Sequence, residues 1–226
     1  MSTVLAIPDL HAPFAQRGFI EWCRQIGEYF SCDTFVQIGD LVDNHALSRW
    51  PKHPDADTVA EEVRLAKDIL AELYDAFPGG VKLTLGNHDE RLKKRLYDLG
   101  IPEQFGTSYR EMYQIPDNWE IYENSVEIDG VVYYHGHRKG GQMPALGMAQ
   151  LLGKPVVCGH HHGVAGVNKR MPNGQLSWGM DLGCGVDISS YGMYYAKETL
   201  MQPVLGCGVV VDGIPHHFIF GEKPWL

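Results

Sequence analysis

The sequence predicts one α/β domain, residues 1–226, in which two mixed β-sheets pack together and helices flank them. Three observations predict this class. Short apolar runs near the N-terminus alternate with stretches of helical period, as in β-α-β units with parallel strands. The second half of the chain is rich in strands, and two Asp-Gly pairs indicate hairpins there. A length of 226 residues, of which 44% are hydrophobic, allows a substantial core.

The first half of the chain alternates strands with helices. Strands are predicted at residues 3–7, 34–38 and 81–85. Apolar residues at helical spacing predict a helix over 19–30, and leucines predict another over 92–99. Between them, a capping box at Thr58 begins a helix that Pro78-Gly79-Gly80 ends. Residues 44–57 predict a short helix followed by a loop.

The second half of the chain is dominated by strands. They are predicted at residues 119–122, 125–128, 131–134, 156–158, 163–167, 175–179, 205–211 and 214–220. Asp129-Gly130 and Asp212-Gly213 predict tight hairpins, and Pro144 opens a short helix. Residues 100–118 have a weak pattern with interleaved aromatics, so we expect a family-specific insertion there that shapes substrate access.

Composition narrows the possible functions. The formal net charge of −9 provides no overall basic field that would attract nucleic acid or anionic lipid. The five cysteines include no C-x-x-C pair, which favours free thiols in a reducing compartment over disulfides or a thiolate zinc site. No signal peptide and no apolar run long enough to span a bilayer is evident. We therefore expect a cytoplasmic protein without a membrane partner.

Polar side chains follow five of the predicted strands. They are Asp9, His11, Asp40, Asp43, Asn87, His88, His135, His137, His160 and His162. Each motif alone has an ordinary interpretation, a turn or a surface histidine, and short motifs often match by chance. Together, imidazoles and carboxylates at strand ends predict a site for Mn, Fe, Zn or Co. Their number exceeds the needs of one ion, so we expect two ions with a bridging carboxylate such as Asp40.

These motifs resemble those of the calcineurin-like metallophosphoesterase superfamily. The resemblance rests on Asp9-x-His11, Gly39-Asp40-x-x-Asp43, Gly86-Asn87-His88-Asp89, His135-Gly136-His137 and Gly159-His160-x-His162. It implies a four-layer αββα sandwich and a phosphoester hydrolase with a dinuclear metal centre. We expect two divalent ions from among Mn, Fe, Zn, Ni and Co, with Mn favoured.

The resemblance also implies a role for each motif residue. One ion would be held by Asp9, His11, Asp40 and His162. The other would be held by Asp40, Asn87, His135 and His160, with His137 as the alternative to His135. His88 would lie beside the substrate, oriented by Asp43. A metal-bridged hydroxide would attack phosphorus, and His88 would donate a proton to the leaving oxygen.

Position 44 departs from the family pattern. Many phosphatases of the family have an arginine there that contacts phosphate, whereas this chain has Asn44. Because a monoester dianion gains more from a bidentate guanidinium than a diester monoanion does, this change favours phosphodiesters. Candidate substrate contacts are Asn44, Arg91, His137 and Arg138, with Lys139 as a further cation.

The leading prediction is a hydrolase of phosphoesters, a phosphodiesterase or phosphatase acting on a small molecule or nucleotide. A nuclease acting on DNA or RNA is the alternative, which the acidic net charge disfavours. A non-catalytic binding scaffold ranks third, because every motif position is filled. The oligomeric state is left open by the sequence.

Overall fold

Two β-sheets lie face to face in the computed structural model of the chain, which describes residues 1–138, 140–171, 174–193 and 201–225. The strands are β1 (Thr3–Ile7), β2 (Thr34–Gln37), β3 (Lys82–Thr84), β4 (Glu120–Tyr122), β5 (Ser125–Ile128), β6 (Val131–Tyr134), β7 (Val156–Cys158), β8 (Ala165–Arg170), β9 (Ser177–Leu182), β10 (Gly206–Val211) and β11 (Ile214–Ile219). The helices are α1 (Phe19–Tyr29), α2 (Val59–Ala76), α3 (Arg91–Asp98), α4 (Tyr109–Tyr113) and α5 (Pro144–Leu152). The candidate cation Lys139 lies outside the described residues.

Both sheets are mixed, which confirms the predicted fold class. The first has the strand order β11-β10-β1-β2-β3-β4. Strands β1 to β4 are parallel, β10 is antiparallel to β1, and β11 is antiparallel to β10. The second has the order β5-β6-β7-β9-β8, with β6, β7 and β9 parallel between two antiparallel edge strands. Parallel strands bring their carboxyl ends to one edge of each sheet, where ligands bind in α/β folds.

The side chains of β1 illustrate the layers. Val4 and Ala6 lie in the cluster buried between the sheets, whereas Leu5 and Ile7 pack with residues of α1 and α2. This alternation is the two-residue period of a strand buried on both faces. On the opposite side, α5 packs against the second sheet through Ala149 and its neighbours. Helices therefore cover the outer face of each sheet. Among the described residues, no helix is long and apolar enough to cross a bilayer.

The largest differences from the predicted strands lie at β8 and β9. They were expected at 163–167 and 175–179 but run over 165–170 and 177–182, paired along their whole length. The end of β8 is an exposed edge with Lys169 and Arg170, which no apolar run marks. Strand β9 continues past its predicted end and buries Asp181, a charged residue that an apolar pattern excludes.

The segment 100–118 contains more regular structure than its weak apolar pattern indicates. It includes a 3₁₀ turn at Glu103–Phe105 and the short helix α4. Ser108 and Glu111 form a capping box at the start of α4, a signal that the sequence carries although five helical residues are too few for a visible period. That this segment is an insertion within one domain stays a prediction.

Candidate active site

The carboxyl ends of strands from both sheets bring the predicted site residues together. Asp9 follows β1, Asp40 follows β2 and Asn87 follows β3 in the first sheet. His135 follows β6 and His160 follows β7 in the second. The candidate site therefore spans the junction between the two sheets, and the sheet packing fixes the relative positions of its side chains.

The first group of donor atoms contains Asp9, His11 and His162, whose nearest ligand atoms all lie within 4.8 Å of one another. His162 Nε2 is 3.1 Å from Asp9 Oδ2. His11 Nε2 is 4.0 Å from the same oxygen and 3.6 Å from Asp40 Oδ2. Asp40 thus lies at the border of this group, and its ligand atoms also lie within 4.8 Å of those of His11 and His88 in an overlapping group.

The second group contains Asp40, His135 and His160. His135 Nε2 is 3.1 Å from Asp40 Oδ2, 3.2 Å from His160 Nδ1 and 3.1 Å from Asn87 Oδ1. Burial raises the pKa of the Asp40 carboxyl, but His135 and His88 lower it more, so the pKa lies well below its usual range. Asp40 is therefore an anion placed between the two groups.

The donors fit divalent ions. His11 Nε2 is buried and has no hydrogen-bond partner among the described residues, although it lies between the carboxylates of Asp9 and Asp40. A buried nitrogen in this position loses its hydration without gaining a protein partner, which a bound cation would compensate. Carboxylate, imidazole and amide donors suit first-row divalent metals. The division of the residues between two ions stays a prediction.

Four residues of the site have left-handed backbone conformations. Their φ angles are 47° at His11, 46° at Asp40, 54° at Asn44 and 65° at His160. Such conformations cost roughly 1–3 kcal/mol each in a residue other than glycine and persist where surrounding contacts hold them. Here the His11 amide donates to Asp40 O at 2.9 Å, and the His160 amide donates to Asp9 Oδ2 at 2.9 Å. The backbones of His11 and His160 are thus held in place by hydrogen bonds to two other candidate metal ligands.

His88 is held by the backbone of Asp43 more closely than by its carboxylate. His88 Nδ1 is 2.9 Å from the Asp43 carbonyl oxygen and 3.5 Å from Oδ1. The other carboxylate oxygen, Oδ2, is 3.1 Å from His11 Nδ1. Burial lowers the pKa of His88, but the carboxylates of Asp40 and Asp43 raise it more, so its pKa is above the usual value. Asp43 therefore positions two imidazoles, with the predicted contact to His88 made mainly through the carbonyl.

Arg91 reaches the position beside Asn44 from a different segment of the chain. Its Nη1 donates to Asp43 Oδ1 at 3.0 Å, to Asp43 O at 2.8 Å and to Asn44 O at 3.3 Å. Its Nη2 is 3.0 Å from His88 Nε2. Because a guanidinium only donates, His88 Nε2 accepts this bond and Nδ1 carries the proton that it donates to Asp43 O. Arg91 thus opposes the two carboxylates, which favour protonation of His88.

A sequence model of calcineurin-like phosphoesterases matches residues 2–178, which include every motif of the site. The chain belongs to the calcineurin-like phosphoesterase family. Membership in this family supports a metal-dependent hydrolase acting on phosphoesters. The family assignment also confirms the resemblance seen in the motifs.

Known proteins with similarity to this family member come from phages, bacteria and eukaryotes. The Gene 54 protein of Mycobacterium phage D29 is 26% identical over 184 residues, which cover 70% of this chain and 68% of the phage protein. Vacuolar Protein Sorting 29 from Cryptosporidium parvum aligns with a TM-score of 0.44 at 13% identity, covering 96% of each chain. Yfce, a phosphoesterase from E. coli, aligns with a TM-score of 0.43 at 14% identity, covering 94% of this chain and 90% of its own.

A cavity of about 670 Å³ opens beside His88 and Arg91. Its lining is drawn from residues 43–54, 87–91 and 191–192, and none of it comes from 100–118. The His53 and Tyr191 rings stack in the lining with centroids 5.9 Å apart, and the Trp50 side chain is 79% exposed. Apart from Asp43, Asn87, His88 and Arg91, the lining residues were marked by no motif. The segment 100–118, which was expected to shape access to the site, does not line this cavity.

The segment 100–118 contacts buried residues that support the site, on a side that does not line the cavity. Tyr113 Oη donates to Asn44 Oδ1 at 2.6 Å, and Asn44 Nδ2 donates to the His88 carbonyl oxygen at 3.1 Å. Tyr109 Oη donates to Asp89 Oδ1 at 2.7 Å. Asn44, a candidate substrate contact, is thus a buried link between α4 and His88.

Two buried carboxylates support the loops of the site and were missed as supporting groups. Asp89 accepts hydrogen bonds from the amides of Gly86 and Val42, at 2.7 and 3.3 Å. Glu62 of α2 accepts from the amides of His45 and Ala46, at 2.6 and 2.7 Å. Both side chains are 4% exposed. Asp89 adjoins the Gly-Asn-His motif, which is a usable signal, whereas nothing in the sequence connects Glu62 to residue 45.

The remaining candidates lie at the margin of the site. The His137 ring is 5.5 Å from that of His135 but belongs to neither group of ligand atoms among the described residues. Arg138 is exposed and is not part of the lining of the 670 Å³ cavity. This geometry favours His135 over His137 as the ligand.

Proposed function

We propose that the chain is a phosphodiesterase that uses two divalent ions, Mn in preference to Fe, Zn, Ni or Co. Two adjoining groups of donors that meet at Asp40 support two ions in preference to one. When bound, such ions act as Lewis acids on the phosphoryl oxygens and provide a nucleophile from water near neutral pH. The residues of the chain would hold the ions, orient the substrate and donate a proton to the leaving group.

The partnered state of Arg91 is the observation that carries the preference for diesters. A guanidinium beside the metal centre would favour a dianionic monoester, but its Nη1 and Nη2 donate to Asp43, Asn44 and His88. The charge of Arg91 is also balanced by the Asp43 carboxylate at 3.0 Å. A diester monoanion needs less positive charge, and the adjoining cavity of about 670 Å³ offers room for its second ester group.

His88 is the proposed general acid. Its Nε2 faces the site, 3.9 Å from Asp40 Oδ2, while Nδ1 is fixed on the Asp43 carbonyl. If Arg91 Nη2 moved off Nε2 while its Nη1 kept the bonds to Asp43 and Asn44, this nitrogen could hold a proton. The proton would then pass from Nε2 to the leaving oxygen as the bond to phosphorus breaks.

The test compares bis(p-nitrophenyl) phosphate with p-nitrophenyl phosphate on protein reconstituted with Mn²⁺. The two substrates share a leaving group, so the difference in kcat/KM measures the effect of the second ester group and of the charge on the substrate. We expect kcat/KM to be higher for the diester than for the monoester. Cyclic nucleotides and dinucleoside polyphosphates complete the panel of substrates. The Asp40→Ala protein provides the blank for contaminating hydrolases. A kcat/KM for the monoester above that of every diester would overturn the preference.

A nuclease is the second candidate, and a basic groove next to the cavity favours it. Arg49, Lys94 and Arg95 line this groove together with Trp50, an arrangement that suits a phosphate backbone and a stacked base. Two of the three charges are balanced, since Lys94 pairs with Glu90 at 2.8 Å and Arg49 pairs with Asp98. Cleavage of a single-stranded oligonucleotide that falls steeply with added salt, at a kcat/KM above all small diesters, would favour this function.

A further inference from the structure

A second cluster of ligand-type side chains lies on the other face of the second sheet, under α5. Tyr134, Cys158 and Asp181 stand side by side on β6, β7 and β9, in direct register across the parallel strands. Cys158 and Tyr134 pack in the cluster that α5 covers, and the Asp181 Oδ1 accepts from the Ala145 amide in the first turn of α5 at 3.1 Å. This row therefore faces the helix, away from the space between the sheets.

His161 completes the cluster from the loop after β7. Ligand atoms of Cys158, His161 and Asp181 all lie within 4.8 Å of one another, and this group shares no residue with the two groups of the active site. Cys158 Sγ is 3.2 Å from Asp181 Oδ1. His161 is adjacent to His160, with the two rings perpendicular and 4.9 Å apart. The loop thus presents successive histidines to two different sites.

Three buried polar atoms around this cluster have no hydrogen-bond partner among the described residues. They are Asp181 Oδ2, His161 Nδ1 and the Tyr134 hydroxyl. Asp181 is 1% exposed, and burial raises the pKa of its carboxyl to about 6. A buried carboxylate oxygen without a partner is costly unless a proton or a cation neutralises it. Two of these atoms belong to residues of the cluster itself, and a bound cation would give them a partner.

We propose that Cys158, His161 and Asp181 bind a third divalent ion, of the zinc class. Thiolate, imidazole and carboxylate are the donors that zinc takes in tetrahedral sites, and the fourth position is left for water or the Tyr134 hydroxyl. On binding, the Cys158 thiol and any protonated Asp181 carboxyl release their protons to solvent. Two anionic ligands then balance the two charges of the ion, so the buried site is neutral.

The role of this ion would be to hold the loop that carries His160 and His162. It would tie β7 and β9 to the loop on the side opposite the catalytic ions. The competing interpretation is a neutral Asp181 that only caps α5 and accepts from the Cys158 thiol. The two differ in whether a metal–sulfur bond forms, which can be measured directly.

Reconstitution with Co²⁺ alone tests the proposal independently of any activity. The active-site donors are nitrogen and oxygen, so a sulfur-to-cobalt charge-transfer band in the near ultraviolet can come only from a cysteine site. We expect this band, and three metal equivalents per chain, in the unmodified protein. Cys158→Ser should lose the band and one equivalent, while Cys207→Ser, which removes another fully buried thiol, should keep both.

His161→Asn provides a second variant at a half-buried position, should Cys158→Ser fold poorly. It should weaken or abolish the band while leaving two equivalents bound. A band that is absent from the unmodified protein, or that persists in Cys158→Ser, would overturn the proposal. An unmodified protein that shows the band but hydrolyses no phosphoester would count against the proposed function and leave the third metal site supported.

Discussion

The active site has two walls that are built differently. The wall of candidate metal ligands stands on strand ends, and Asp9, Asp40 and His135 are each at most 2% exposed. The opposite wall stands on loops, where Trp50 is 79% exposed and the His53 ring stacks on Tyr191 from a distant part of the chain. The register of two buried sheets fixes the first wall, whereas the second can change without disturbing the core. Under the proposed function, chemistry and selectivity would thus be placed on separate parts of the fold.

The largest effect is expected at Asp40, where the two donor groups meet. Asp40→Ala should lose activity and both ions, because its carboxylate belongs to the second group, lies 3.6 Å from His11 of the first, and accepts from the His88 amide at 2.8 Å. Elemental analysis and hydrolysis of bis(p-nitrophenyl) phosphate provide the measurement. Asp75→Ala, which removes an exposed carboxylate of α2, is the control. Two ions retained in Asp40→Ala would show that this residue does not bridge the groups.

His88 lies where the two walls meet. Its replacement should affect proton donation to the leaving group without affecting the binding of the metal ions. His88→Asn should lower kcat roughly 10²–10⁴-fold for a diester with an alkoxide leaving group, which needs a proton as it departs. With p-nitrophenolate, a weak base, the loss should be much smaller. Metal content should stay near that of the unmodified protein.

An equal loss on both leaving groups would mean that His88 stabilises charge in the transition state and donates no proton. The contact between Arg91 and His88 Nε2 makes this outcome a real alternative. The series of leaving groups therefore decides between two roles that the same ring position allows.

The smallest effect is expected on the loop wall. Trp50→Ala should raise KM about fivefold for diesters that carry a nucleobase, since stacking on one aromatic side chain is worth roughly 1 kcal/mol or more. Methyl esters should be unaffected, and so should Tm, because the side chain is largely exposed. Tyr97→Ala removes an aromatic that is 84% exposed on α3 and serves as the control. The same KM change for methyl esters would mean that Trp50 shapes the loop and stacks on nothing.

The strand-end wall was predictable from the sequence because strand ends are encoded locally. An apolar run followed by Asp9 or Asp40 indicates both the strand and the polar group that its carboxyl end presents. Parallel pairing then brings such ends together whatever the lengths of the connections.

The loop wall could not be predicted in the same way. Trp50 and Tyr191 are far apart in sequence and follow no period, so only the folded chain brings them to one cavity. The contact of His88 with the Asp43 carbonyl was also beyond reach, since every residue has a carbonyl and no pattern selects one. Asp181 was missed because a buried charge inside a strand interrupts the apolar run by which the strand is found.

Two glycines of the motifs have a consequence for how the family varies. A Cβ atom at Gly86 would overlap Asp40 Oδ1, and one at Gly159 would overlap Asp9 Oδ1. Each carboxylate therefore occupies the space that a side chain at the glycine would fill. Asp40 and Gly86 follow neighbouring strands of one sheet, whereas Asp9 and Gly159 follow strands of different sheets. The unit that evolution inherits is then an aspartate at one strand end together with a glycine at another. Among relatives, the two members of each pair should be retained or lost together, however freely the loops between them diverge.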